Sequence, residues 1–356
     1  MKRFLLPLTI GLLSSAPASP AALAQESGYV QSFDGGTAWL DSKPLTAQDL
    51  QNKVVLVEFW DYSLLNSLHT IPYLKEWYKR YASDGLLIVG VQSPALSVSG
   101  NPEYVSEVMR KLGITWPVVV DGKHAIATRF GATDTPHFLL YDRNGFRIAN
   151  VSGEMNYPAL ETEIQLMLKG ADPNLQLPPP MALLPQDSYD QANALAYPKT
   201  TDIFVQNRGA IANEPSNTFG DNVDYYDVKP PHADGKLYLQ GSWRRSGAGI
   251  VAGSAIGYVA LHYHAIEVAA LMSAPAGKSI DVVVTQNGQP VEKADAGSDI
   301  QYDTDGRSYV SVDIPRAYDL IENKHWGSYD LRLYPKSQDL SLYELSFESA
   351  QTGADY

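Results

Sequence analysis

The spacing of apolar and polar positions changes character near the middle of this chain. Residues 54–60 (VVLVEFW) form a short, β-branched, nearly continuous apolar run. That is the pattern of a strand buried on both faces, and residues 86–92 repeat it. Between them, Leu68, Ile71, Leu74, Trp77, Tyr78 and Tyr81 recur every three or four positions, with Lys75, Glu76, Lys79 and Arg80 in the gaps. This spacing predicts an amphipathic helix over 68–84, stopped by Gly85. A second such helix is predicted over 102–112, closed by Gly113. A short strand (118–121), a short helix (124–130), a hairpin (138–142 and 146–151, turning at Arg143-Asn144-Gly145) and a helix (160–169) follow. Residues 25–52 read as a polar entry segment containing Gly35-Gly36 and Pro44. The order β-α-β-α-β-α-β-β-α predicts an α/β unit over 25–171. Its mixed sheet is flanked by helices, with parallel crossovers first and an antiparallel pair last.

Residues 172–187 carry five prolines in sixteen positions. Such a segment is extended and semi-rigid, and it reads as a linker. The alternative is an ordered strap, because Leu175, Leu177, Met181, Leu183 and Leu184 favour burial. Over 188–350 the pattern becomes a series of strand-like runs: 237–243, 256–259, 265–272, 280–286, 309–314, 328–334 and 343–347. Asn287-Gly288 and Asp305-Gly306 are hairpin signals, and 316–321 is the main helical candidate. Many strands with few helices predict an antiparallel, jelly-roll-like β-sandwich, followed by a tail at 351–356.

The chain's 356 residues suit two domains. A net charge of −13 with no basic stripe argues against nucleic acid and anionic lipid as partners. Lys2 and Arg3, the apolar run 4–13 and Ala22-Leu23-Ala24 predict a signal peptide over 1–24, cut after Ala24. No later run is long and apolar enough to span a bilayer, so a mature chain that is periplasmic or secreted is expected. The chain has no cysteine, which excludes thiol nucleophiles, thiolate metal sites, disulfides and a cysteine-linked lipid anchor.

The stretch Phe59-Trp60-Asp61-Tyr62-Ser63-Leu64-Leu65-Asn66-Ser67-Leu68-His69-Thr70-Ile71-Pro72-Tyr73-Leu74 resembles the thioredoxin-like domain of the TlpA and DipZ group of extracytoplasmic thiol-disulfide proteins. In that family a Cys-x-x-Cys pair opens the helix, and the two positions fall here on Leu64 and Ser67. Thr135-Pro136 stands where the family places a cis-proline facing the active site. The resemblance covers roughly residues 50–170. A looser likeness to the carbohydrate-binding-module-like region that follows in DipZ rests on Gly241-Ser242-Trp243, Tyr263-His264-Ala265-Ile266-Glu267-Val268 and Leu342-Tyr343-Glu344-Leu345-Ser346-Phe347.

The resemblance implies a groove that binds extended polypeptide beside the proline. Its expected lining is Trp60, Tyr62, Ser63, Leu64, Ser67, Thr135 and Pro136. No catalytic residue is expected there. Ser63 and Ser67 read as helix caps, and His69, two residues from Ser67, does not face it on a helix. His262-x-His264 would place two imidazoles on one face of a strand, a weak metal candidate that needs a third ligand, for which His232, His325, Glu267 and several aspartates are available. The alternative is two sandwich-surface histidines. Asp299, Asp303 and Asp305-Gly306 read as an acidic turn more than a calcium loop. The tyrosine-rich second half could present aromatic rings to a sugar, although most such rings belong in a core.

The resulting expectation is a redox-inactive, exported binding or scaffold protein for a polypeptide or glycan, with no cofactor. Alternatives are docking on exported redox proteins without dithiol chemistry, or a metal-dependent activity at His262/His264.

Overall fold

The structure is a computed structural model that describes residues 28–95, 97–154, 157–184, 194–215 and 221–352. The expected signal peptide, positions 185–193 and the last four residues of the tail lie outside the described residues.

The first domain is a six-stranded mixed sheet. Its strands are β1 (Ala38–Leu40), β2 (Val54–Trp60), β3 (Leu86–Gln92), β4 (Val118–Val120), β5 (His137–Tyr141) and β6 (Arg147–Ser152), in the spatial order β1-β4-β3-β2-β5-β6. Strand β2 pairs parallel with β3 and antiparallel with β5, and the β5–β6 hairpin closes the edge. The continuous apolar pattern of β2 has its reason in the layers. Val54, Leu56 and Trp60 pack under helices α2 (Leu65–Tyr81), α3 (Pro102–Leu112) and α5 (Tyr157–Ala171). Val55, Val57 and Phe59 pack on the opposite face, against α1 (Ala47–Leu50) and α4 (Ala125–Phe130). The entry segment is more ordered than its polarity suggests. It supplies β1, in register with β4, and α1, whose first turn is fixed by a Thr46–Asp49 capping box.

The proline-rich segment is extended, but through residue 184 it is a strap on the first domain and not a free spacer. Leu175, Leu177, Met181, Leu183 and Leu184 pack against the α2/α3/α5 core. The Met181 amide donates to Glu161 (2.7 Å) and the Leu184 amide to the Tyr73 hydroxyl (2.8 Å).

The second domain is antiparallel. Its strands are β7 (Ala194–Ala196), β8 (Ile203–Phe204), β9 (Val223–Tyr225), β10 (Leu237–Arg245), β11 (Ile250–Ser273), β12 (Ile280–Gln286), β13 (Gln289–Pro290), β14 (Gln301–Tyr302), β15 (Ser308–Val312), β16 (Arg316–Pro335), β17 (Ser341–Glu348) and β18 (Ala350–Thr352). Ten of these join in one sheet around a common core that includes Trp243, Tyr263, Val282, Leu331 and Phe347. Two runs expected as separate strands, 256–259 and 265–272, are parts of the 24-residue β11. The helix expected over 316–321 is a correction: those residues begin β16, where Ala317, Tyr318, Leu320 and Ile321 are buried against β11. Asn287 (φ 52°) and Gly288 (φ 75°) form the tight β12–β13 turn, both in the left-handed region such a hairpin requires.

Candidate functional site

The Trp-Asp-Tyr-Ser frame carries β2 into α2. Helix α2 begins at Leu65, with Leu64 in an extended N-cap conformation (φ −106°, ψ 130°) and no side-chain cap. The expectation that Ser63 and Ser67 cap the helix is therefore corrected. Ser67 is fully buried, and its Oγ accepts the Asp61 amide at 3.2 Å, while the Ser63 hydroxyl is buried without a protein partner. The loop is organised by Asp61. One carboxylate oxygen accepts the Ser63 amide (3.0 Å) and the Gln92 side-chain amide (3.0 Å). The other accepts the Ala95 amide (2.6 Å) and the Ser99 hydroxyl (3.1 Å).

Beneath α2 lies a carboxyl that went unremarked among the apolar residues of β2. Glu58 is completely buried with its carboxyl 2.6 Å from the Thr70 hydroxyl, which lies 2.7 Å from the Ser67 carbonyl. Burial pushes Glu58 up to about 8, with the Thr70 hydrogen bond opposing. An acid inside a β-branched run was the available signal.

The Thr135-Pro136 peptide bond is cis, as the resemblance implied. The Asn66 side chain donates to the Thr135 carbonyl at 3.2 Å, so α2 itself occupies that acceptor. Of the expected groove lining, Trp60, Tyr62, Ser63, Ser67 and Pro136 are buried, which leaves Leu64 and Thr135 partly exposed. Trp60 lies within the first-domain core and Ser67 is held by Asp61 of the same loop, while the second domain covers the start of α2. Leu65 and Leu68 pack on Ala269 and Ala317, the Ala317 amide approaches the Tyr62 carbonyl (3.5 Å), and Ile314 enters the first-domain core. Lys111 pairs with Asp313 at the same boundary. What stays open is a cleft of about 200 Å³ lined by first-domain residues, among them Phe59, Ala95, His124, Asp134 and Thr135.

His69 turns away from Ser67, as helical geometry requires. Its Nδ1 lies 3.0 Å from Glu154, and its Nε2 lies 3.6 Å from Glu267 of the second domain. Glu267 sits between Glu322 on β16 and Glu348 on β17 in the ladder. Burial pushes it up to about 8, with Asp319, Glu322 and Glu154 adding to the rise and His69 opposing it.

Leu65 is only 4% exposed at this seam. A Leu65→Asp variant is expected to lose roughly 3 kcal/mol of stability, because an unpaired carboxylate would replace an apolar contact. Hydrogen exchange should then accelerate in the first turn of α2 and in the facing segments of β11 and β16. Unchanged exchange there would contradict this account of the seam.

His262 and His264 do share a face, with their rings 5.5 Å apart, but each has its own carboxylate. His262 Nδ1 lies 2.9 Å from Asp330 and its Nε2 lies 2.8 Å from the Ser328 hydroxyl; His264 Nδ1 lies 3.2 Å from Asp234. Among the described residues no group of three or more His, Cys, Asp or Glu side chains is arranged to hold a metal ion. The acidic turn is likewise satisfied internally. Asp299 binds Arg316, while Asp303 and Asp305 bind Arg307.

Comparison with known proteins agrees with this architecture. Residues 26–163 match the Redoxin family, and residues 202–347 match the family described as thioredoxin like C-terminal domain. Protein DipZ of Mycobacterium bovis and that of Mycobacterium tuberculosis are each 27% identical over 273 residues, covering 76% of this chain and 38% of DipZ. The thiol-disulfide oxidoreductase YkuV of Bacillus subtilis is 28% identical over 111 residues, covering 31% of this chain and 74% of its own. The solution structure of a thioredoxin-like protein in the oxidized form is 24% identical and covers 41% of this chain and 97% of its own, with a TM-score of 0.37. Over 76% of its length the chain is thus similar to DipZ while carrying no cysteine, with a segment that matches Redoxin followed by one that matches the thioredoxin like C-terminal domain.

Proposed function

We propose that this protein is an exported, redox-inactive binding module that takes an extended polypeptide along the rim of the cleft beside Thr135 and Pro136. The observation that carries the reading is a division of labour at one site. Ser67 serves a backbone hydrogen bond and Leu65 an interdomain contact, so both are committed to structure. The neighbouring cleft keeps Thr135, Asp134 and Ala95 on its walls. A ligand chain there would find polar groups beside Ala95 and Ala132, a combination suited to backbone pairing with one side chain inserted. The basic start and apolar run before Ala22-Leu23-Ala24 support a site of action outside the cytoplasm.

The test uses the full chain and a reduced, carboxymethylated α-lactalbumin as an unfolded polypeptide probe. Titration calorimetry should detect binding, and Ala95→Trp, which fills the cleft, should weaken it by about tenfold or more without altering thermal unfolding. An insulin-reduction assay should stay at background. Absence of binding, or binding indifferent to Ala95→Trp, would reject the cleft.

A second reading is favoured by one observation in the other domain. Tyr197 and Trp326 are partly exposed and stack at 5.3 Å, with His264 beside them, a surface on which a sugar ring could lie. Glycan-array binding lost in Trp326→Ala would support it.

A further inference from the structure

The outer face of the β11–β16 pair carries a hydrogen-bonded chain that neither reading above employs. In the ladder His262 stands opposite Asp330, and His264 opposite Ser328. Residues two apart on a strand share a face, so Ser328, Asp330, His262 and His264 all project outward, while Tyr263 between the histidines points into the core. The Asp330 carboxylate can only accept, so its 2.9 Å contact assigns the proton of His262 to Nδ1. The lone pair of Nε2 then faces the Ser328 hydroxyl at 2.8 Å. Nucleophile, base and orienting acid are thereby in hydrogen-bond reach of one another, in the relation that activates a serine.

We propose that Ser328, His262 and Asp330 form a serine-nucleophile site that cleaves carboxylic esters presented to the outer face of the second domain. Ser328 Oγ bonds to the acyl carbon as its proton passes to His262 Nε2. The tetrahedral adduct collapses, the bond to the alcohol oxygen breaks, and Nε2 returns the proton to the departing alcohol. Water then attacks the acyl-serine by the same route, releasing the acid and restoring Ser328. Asp330 holds the imidazole and offsets its charge while it is protonated. His264 is fixed by Asp234, which Thr200 also binds at 2.7 Å. The Tyr197–Trp326 stack, with Trp326 6.1 Å from the His264 ring, supplies a flat surface for the remainder of the substrate.

The site is exposed, so each member can be altered without opening the core. A fluorophosphonate probe on the full chain should label Ser328, located by peptide mass spectrometry. Hydrolysis of p-nitrophenyl acetate and butyrate should fall to background in Ser328→Ala, by about 100-fold in His262→Gln and by about tenfold or more in Asp330→Asn. Trp326→Ala should raise KM more than it lowers kcat. Leu166→Ala, exposed on α5 of the first domain, should leave hydrolysis unchanged, which separates a general surface effect from loss at Ser328. No label at Ser328, or ester hydrolysis equal in Ser328→Ala, would overturn the assignment and leave the chain as a structural hydrogen-bond network.

Discussion

Replacing Asp61 with alanine is expected to lower the unfolding free energy by roughly 3–5 kcal/mol, among the larger effects a single position in this chain can produce. Its carboxylate receives four donors from three separated segments: Ser63, Gln92, and the 95–99 loop through Ala95 and Ser99. Removal takes one acceptor from two backbone amides, the Gln92 side-chain amide and the Ser99 hydroxyl, and their desolvation is less well offset. Asp61→Asn should cost less, since one oxygen remains, but its new N–H groups would face donors. Urea unfolding of the two variants beside the parent checks the order. A loss under about 1 kcal/mol for alanine would mean water substitutes for the carboxylate and that the loop is less dry than its burial indicates.

That residue marks the boundary of what the amino-acid pattern made legible. The strands and helices of the first domain follow from apolar spacing and glycine stops, because each element meets one or two layers with a fixed period. The absence of cysteine was likewise visible in the chain, and the resemblance located it at Leu64 and Ser67 against a frame of neighbours. What was hidden depends on partners far along the chain. Asp61 carried no signal beyond its place in that frame, because its donors lie more than thirty residues away, except for Ser63. The proline-rich strap read as a linker because its composition reports backbone stiffness, whereas its burial is decided by Tyr73 and Glu161. Residues 316–321 read as helical because a short apolar run fits either period, and the long β11 settles the matter by pairing. His262 and His264 were found by their spacing of two, while Ser328 and Asp330, also two apart, carried no signal until register placed them opposite.

Thermal unfolding of this protein is expected to occur at a higher temperature at pH 5 than at pH 8. Three buried glutamates carry the argument. Burial holds Glu58, Glu267 and Glu344 at about 8, against an ordinary value of 4.5. Between these two values the folded chain keeps protons that the unfolded chain releases. Stability from these groups is therefore fully present below about 4.5 and is lost as pH rises through 8. Paired carboxylates act in the opposite sense: Asp313, held low by Lys111, and Asp134, held low by Ser152 and His137, contribute above 3.8 and lose their contribution in stronger acid. The optimum thus lies near pH 4–5, with a fall of at least about 5 °C in Tm by pH 8. The interdomain seam should feel it most. Glu267 lies between Glu322 and Glu348 in the ladder and faces His69 and Glu154 across the boundary, with Asp319 nearby and Lys199 pairing Glu348. Ionising Glu267 adds a like charge to that row, which strand pairing penalises. Glu267→Gln copies the protonated shape and should flatten the pH dependence, and Glu58→Gln should do so independently through the first domain. A Tm that is level or rising from pH 5 to 8, in a parent chain folded at both, would refute the buried-acid account. If the Glu267→Gln profile instead keeps the parent's slope, the seam is hydrated and the slope belongs to Glu58 and Glu344 alone.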